Sequence, residues 1–267
     1  MTDKIGRVLI IAGSDSGGGA GIQADIKTVT ALGAYAATAI TAITVQNTLG
    51  VAAVHALTPA LVEAQARAVL DDIGADAIKI GMLGDAGVVA AVVRLLAAAP
   101  AIPAVVDPVM IAKGGAALLA PDAGAAMRDL LVPLARLLTP NAPEAAALTG
   151  LTIETTDDLR LAGEALLRRG AAAVLMKGGH IAGPTVTDIL MTPGGETTFE
   201  GPRIDTRHTH GTGCTLSSAC AAGLAQGLGL EQAVARAWAY TGEAIRRAPG
   251  FGAGHGPLDH AWPVRDR

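Results

Sequence analysis

The amino-acid sequence predicts an α/β fold: a mostly parallel central sheet with helices on both faces and a small antiparallel addition. Two patterns carry that prediction. Short β-branched runs alternate with longer Ala- and Leu-rich segments of helical period, which is how βαβ units read in sequence. The chain of 267 residues is 51% hydrophobic but only 2% aromatic, so Ala, Val, Leu and Ile have to fill its interior. The right-handedness of parallel crossovers then distributes the helices over both sides of the sheet.

Val8-Leu9-Ile10-Ile11-Ala12 sets the first strand at Arg7–Ala12. Lys4 and Arg7 ahead of an apolar run look superficially like a signal peptide, but the run is too short, and Ser14-Asp15-Ser16 follows where small cleavage-site residues belong. Helix is expected over Gly21–Leu32, strand over Ala36–Thr44, helix over Ala60–Ile73 and strand over Ala77–Gly81. Helix Ala86–Ala98, strand Pro103–Asp107, helix Asp122–Leu131 and strand Leu137–Thr139 continue the alternation, followed by helices Pro143–Leu148 and Thr156–Arg169 and strand Ala172–Lys177. Beyond Lys177 the pattern changes. Thr185–Met191 and Thr197–Gly201 read as an antiparallel pair turned by Pro193-Gly194-Gly195. Helices Thr212–Gln226 and Glu231–Ala248 follow, then a Gly/Pro-rich tail from Pro249. With no internal repeat and no polar linker, a single domain over 1–267 is expected.

Charge and cysteine usage narrow the function classes. Lys and Arg number 20 against 24 Asp and Glu, a net charge of −4 without any basic run, so neither a polyanion-binding tail nor a membrane-surface helix is implied. The scarcity of aromatics also removes the stacking platform that single-stranded nucleic acid requires. No segment offers about 18 uninterrupted apolar residues, so no transmembrane helix is expected. The expected partners are small molecules. Cys214 and Cys220 fall in one predicted helix, about 9 Å apart along its axis, beyond the reach of a disulfide. Two free thiols suit a reducing cytoplasm.

Three stretches could carry chemistry. Gly13-Ser14-Asp15-Ser16-Gly17-Gly18-Gly19-Ala20-Gly21 joins the first strand to a helix that carries Asp25. Glycines let a backbone approach a ligand, and a helix start offers unpaired N–H groups. The spacing fits neither a P-loop nor a dinucleotide fingerprint, and glycines alone suit a tight turn equally well. His210-Gly211-Thr212-Gly213-Cys214-Thr215 opens an apolar helix, where glycine N–H groups and the helix dipole can form an anion hole. Its plain reading is an ordinary helix start capped by Thr212. A helix N-terminus also lowers thiol pKa values, which makes Cys214 a candidate base or anion partner, with Cys220 left to the core. Finally, Asp107-Pro108-Val109, Asn141-Ala142-Pro143-Glu144 and Lys177-Gly178-Gly179 each follow a predicted strand. Ligands bind outside the carboxyl ends of parallel strands, so convergence there fits a nucleotide and Mg²⁺ site. A lone Asp, Glu or Lys in such a loop is more often a solvated group. His208 and His210 lack further ligands at zinc spacing, so no zinc site is expected. Trp238, Tyr240 and Trp262 read as packing residues.

These stretches, with Thr44-Val45-Gln46-Asn47-Thr48, Lys79-Ile80-Gly81-Met82-Leu83 and Asp107-Pro108-Val109-Met110 between them, occur in the order found in the ribokinase-like superfamily. Over nearly its whole length the chain resembles the hydroxymethylpyrimidine/phosphomethylpyrimidine kinases of thiamine biosynthesis. The resemblance implies a ribokinase-like three-layer sandwich that uses ATP and Mg²⁺. The implied activity is phosphorylation of 4-amino-5-hydroxymethyl-2-methylpyrimidine and then of its monophosphate, by a cytoplasmic homodimer.

By the same resemblance Gly13, Asp25, Gln46, Met82 and Val109 would line the pyrimidine pocket, with Asp25 and Gln46 pairing the polar edge of the ring. Lys177, Asn141 and Thr212 would meet the nucleotide, Asp107 and Glu144 the metal, and Gly211, Gly213 and Cys214 would form the anion hole. The superfamily usually places Asp where Cys214 stands. A thiolate base at Cys214 is the favoured expectation, with completion of the anion hole as the other. Ile111–Ala116 is expected to be a lid that closes over ligand. Two other readings remain: a pyridoxal or pyridoxine kinase, for which Gln46 and Asp25 discriminate, and a catalytically silent ligand sensor.

Overall fold

The computed structural model describes residues 4–110 and 120–266, so the expected lid at Ile111–Ala116 lies outside the described residues. The strands are β1 (Arg7–Asp15), β2 (Tyr35–Asn47), β3 (Gly50–Ala56), β4 (Ala77–Ile80), β5 (Ala104–Val106), β6 (Leu137–Leu138), β7 (Val174–Met176), β8 (Thr185–Thr192) and β9 (Gly195–Pro202). Among the described residues they form one sheet in the order β3-β2-β1-β4-β5-β6-β7-β8-β9. The run from β2 to β7 is parallel throughout. Antiparallel strands close both edges, β3 on β2 and the β8–β9 hairpin on β7.

The helices are α1 (Gly21–Ala31), α2 (Pro59–Asp72), α3 (Ala86–Ala98), α4 (Pro121–Ala126), α5 (Ala142–Thr149), α6 (Thr156–Arg168), α7 (Thr212–Ala225), α8 (Leu230–Arg246) and α9 (Trp262–Arg265). Strand β1 is buried on both faces, which is why its apolar run is continuous rather than alternating. Its Leu9 and Ile11 belong to the core on the side of α2, α3 and α6, together with Val62, Val92, Leu159 and Leu166. Val8 and Ile10 belong to the core on the side of α1, α7 and α8, together with Val29, Leu216, Ala222 and Val234. Three layers result.

The expected elements are present with shifted ends, and two features differ in kind. Strand β3 was not expected: Gly50–Ala56 is rich in Ala, is largely solvent-exposed, and carries no apolar alternation to mark it. The helix expected over Asp122–Leu131 is α4 followed by a π-helical turn at Met127–Leu131. Among the described residues no helix is long and apolar enough to cross a membrane.

Candidate active site

The glycine-rich loop after β1 turns its own N–H groups inward. Asp15 Oδ1 accepts from the Gly17 N–H at 2.8 Å, and its Oδ2 accepts from Gly19 and Ala20 at 3.1 and 2.8 Å. His210 Nε2 lies 2.9 Å from the same Oδ2. Burial works against ionisation of Asp15, but His210 and these N–H groups outweigh it and hold the carboxyl below its usual range. The loop N–H groups expected to cradle a ligand are therefore taken by Asp15. The loop acts instead as a brace: the Ser16 hydroxyl donates to the Gln46 carbonyl at 2.8 Å and accepts from the Gln46 N–H at 2.9 Å.

Helix α7 starts against this brace. Gly211, not Thr212, is its N-cap, at φ +83°, and a Cβ there would run into the Gly19 carbonyl oxygen, so only glycine fits. The Thr212 hydroxyl donates to the Thr209 carbonyl at 2.8 Å. The first-turn N–H groups of Gly213 and Cys214 have no hydrogen-bond partner among the described residues, which leaves them free for an anion. Gly213 faces the charged cluster, since a Cβ there would lie 3.0 Å from Lys177 Nζ and 3.4 Å from Asp107 Oδ2.

Lys177, immediately after β7, reaches Asp107, immediately after β5, at 2.9 Å, and lies 3.8 Å from Glu144 Oε2. Asn141 and Glu144 form the capping box of α5: the Asn141 N–H donates to Glu144 Oε2 and the Glu144 N–H to Asn141 Oδ1, each at 2.9 Å. The Asn141 NH₂ group has no hydrogen-bond partner among the described residues, which leaves it for a ligand. Burial pushes the Glu144 pKa up to about 7, against the pull of Lys177, while the nearby Asp107 adds to the rise. Burial lowers the Lys177 pKa, but Asp107 and Glu144 reverse the sign and keep it well above the ordinary lysine value.

Gly13, Gln46, Met82 and Val109 line a cavity of about 660 Å³ that Asp107, Asn141, Glu144, Lys177, Gly211, Thr212, Gly213 and Cys214 line as well. Asp25 does not line it. Its side chain is fully buried beneath the cavity floor, bonded through both oxygens to Lys79 Nζ and through Oδ1 to the Ser218 hydroxyl at 2.6 Å. The structure thus does not bring Asp25, expected to pair a substrate ring, to the cavity wall, and it engages both carboxylate oxygens with Lys79 and Ser218. Lys79 was the missing signal, 54 residues away in sequence.

Cys214 departs from expectation in the sign of its pKa shift. The helix start was expected to lower it, but burial pushes the thiol up to about 12, with Asp25 and Asp107 adding to the rise and Lys79 opposing it. At neutral pH Cys214 is a thiol rather than a thiolate, which counts against its expected role as a resting base.

The cavity extends past Lys177 to residues the sequence did not single out for this purpose: Val186, Ile204, Trp238, Ile245 and Arg246. Trp238 also packs on Phe199, with ring centroids 6.4 Å apart. Asp188 sits there too, accepting the Gly178 N–H at 2.8 Å. Burial raises its pKa to about 6, against the Gly178 N–H, Lys177 and Trp238. Among the described residues no group of three or more His, Cys, Asp or Glu is placed to hold a metal ion by itself.

Comparison with known proteins places this geometry. The chain is 49% identical, over 98% of its length, to a thiamine biosynthesis bifunctional protein of Geobacter sulfurreducens, spanning 54% of that protein. It is 50% identical over 257 residues to a hydroxymethylpyrimidine/phosphomethylpyrimidine kinase of Streptomyces coelicolor, covering 96% of this chain and 95% of that one. Among solved structures, an ADP complex of Bacillus subtilis pyridoxal kinase superposes with a TM-score of 0.91 at 34% identity, over 99% of this chain and 100% of that one. These matches show the ribokinase-like architecture. The phosphomethylpyrimidine kinase family profile matches residues 15–259, and the chain belongs to that family.

Proposed function

We infer that this chain transfers the γ-phosphoryl group of ATP to the hydroxymethyl oxygen of 4-amino-5-hydroxymethyl-2-methylpyrimidine and then phosphorylates the monophosphate to the diphosphate, in thiamine biosynthesis. The observation that carries this reading is one cavity whose lining combines Gly13, Gln46, Met82 and Val109 with Lys177, Asp107 and the start of α7.

Phosphoryl transfer needs positioning and charge stabilisation more than covalent chemistry. Met82 and Val109 would hold the faces of the ring, and Gln46 its polar edge. The Gly213 and Cys214 N–H groups would receive the equatorial phosphoryl oxygens, with the positive end of α7 behind them. Lys177 would neutralise charge on the transferred group. Cys214 belongs to the anion hole in this reading: the alcohol proton leaves late, passing to an oxygen of the transferred phosphoryl group, as a loose transition state permits. The Asp107 and Glu144 carboxylates form an all-oxygen donor set that fits Mg²⁺, which would draw its other ligands from phosphate and water. Mg²⁺ would supply charge neutralisation on the β- and γ-phosphates. Val186, Ile204, Ile245 and Trp238 offer an apolar slot for the adenine. A cytoplasmic homodimer is part of the reading, supported by the unpaired thiols of Cys214 and Cys220 and by exposed Ile43, Val45 and Val54 on β2 and β3 and Leu49 in the turn between them.

Pyridoxal is the competing substrate, because the structural likeness to Bacillus subtilis pyridoxal kinase is close. A coupled ADP assay on the pyrimidine alcohol, its monophosphate and pyridoxal tests the choice. Higher kcat/KM for pyridoxal would reverse it, and no ADP release with any alcohol would favour a silent sensor.

A further inference from the structure

The neighbours of Gln46 fix which end of its carboxamide faces which partner. Thr44 Oγ1 lies 2.9 Å from the Ser14 carbonyl oxygen, which can only accept, so the single Thr44 hydroxyl proton is committed there. The same hydroxyl is 3.2 Å from one end of the Gln46 amide and can meet it only as an acceptor. On the other side, His210 Nε2 is 2.9 Å from Asp15 Oδ2. Asp15 already accepts three N–H bonds, which stabilise its charged form, so the proton between the two belongs to Nε2. The other end of the Gln46 amide is 3.2 Å from that same Nε2. With Nε2 of Gln46 on His210 and Oε1 on Thr44, two donors would oppose each other and the hydroxyl would need two protons. The two ends of a carboxamide are nearly isosteric, and both neighbours require the same assignment: oxygen toward His210, nitrogen toward Thr44.

We propose that Asp15, acting through His210, orients the Gln46 amide so that its second N–H is left as a donor to the cavity, and that Gln46 thereby selects substrates by an unprotonated ring nitrogen. Asp15 and His210 are positioning residues in this scheme. Ser16 supports it by holding the Gln46 main chain on both sides. The inference rests on the pyrimidine reading given above. A buried donor left unpaired costs about 1–3 kcal/mol, roughly 5- to 150-fold in affinity.

Two measurements test it. Two-bond ¹H–¹⁵N correlations on ligand-free ¹⁵N-labelled protein, with His210→Phe used to assign the ring, should place a proton on His210 Nε2; a bare Nε2 overturns the orientation. The two monodeaza analogues of the pyrimidine alcohol, each with one ring nitrogen replaced by CH, are then compared with the parent. Wild-type enzyme should lose at least roughly fivefold in kcat/KM on one of them. In His210→Phe that discrimination should collapse, and His210→Gln, which keeps an N–H toward Asp15, should restore it. Equal turnover of both analogues by wild type, or undiminished discrimination in His210→Phe, overturns the proposal. Turnover of the parent alcohol by wild type is measured first and reports on the pyrimidine reading alone, whereas the Nε2 proton is read without any substrate.

Discussion

Lys79 and Asp25 form a bidentate ion pair, Nζ to Oδ1 and Oδ2 at 2.9 and 2.8 Å, with neither side chain exposed to solvent. The pair lies under the cavity, and Ser218 supplies a further donor to Asp25. Removing one partner strands a buried charge, which typically costs about 3–5 kcal/mol. Asp25→Ala should therefore lower the melting temperature sharply and weaken pyrimidine and ATP binding alike. The apolar pair Asp25→Leu with Lys79→Met should recover most of the lost stability. Thermal unfolding of the single and double variants checks this, and a stable Asp25→Ala protein that has lost pyrimidine affinity alone would return Asp25 to the substrate.

Gly213→Ala should act on the chemical step. The new Cβ would lie 3.0 Å from Lys177 Nζ, so either the first turn of α7 or the lysine must shift. Loss of one preorganised donor to developing charge lowers kcat by about 10²–10³-fold. Steady-state kinetics should show this with a KM for the alcohol close to wild type. A raised KM at unchanged kcat would place Gly213 in ground-state binding.

Cys214→Ser should be mild. With burial holding the thiol near a pKa of about 12, no kinetic ionisation between pH 6 and about 10 belongs to Cys214. The variant is expected to keep kcat within roughly tenfold of wild type, far less than the loss of a general base, which is about 10²–10⁴. It should also have the same pH profile. A rise of wild-type kcat through the alkaline range that disappears in Cys214→Ser would establish the thiolate as base.

Asp188 predicts a pH dependence of stability. Burial raises its pKa from 3.8 to about 6, so the folded chain holds this proton more tightly than the unfolded chain. Stability from this group is full below pH 3.8 and is lost as pH rises through about 6, amounting to about 3 kcal/mol. Urea unfolding between pH 4 and 7 should show a falling contribution that Asp188→Asn removes. An unchanged slope in the variant would assign it to other groups, Glu144 first.

The fold was legible where burial left a pattern. Val8 to Ala12 face two cores at once, so their continuous apolarity announces a central strand, whereas Gly50–Ala56 pairs only at an edge and exposes most of its small side chains. The site was legible where residues follow strands: Asp107, Asn141 and Lys177 converge because their strands are neighbours in the sheet. It was illegible where a partner is remote. Nothing local to Asp25 says that Lys79 occupies it, and nothing local to Cys214 says that burial outweighs the helix start. The slot between Ile204 and Ile245 draws on two elements far apart in sequence, and each of its residues alone reads as packing.

Phosphorylation of a pyrimidine alcohol can be read directly by ³¹P NMR on a single reaction. Equal amounts of the pyrimidine alcohol and pyridoxal are offered together with Mg-ATP. A pyrimidine monophosphate resonance should appear first and give way to the diphosphate, with pyridoxal phosphate a minor product. Dominant pyridoxal phosphate, or ADP accumulating without any new phosphate ester, would contradict it.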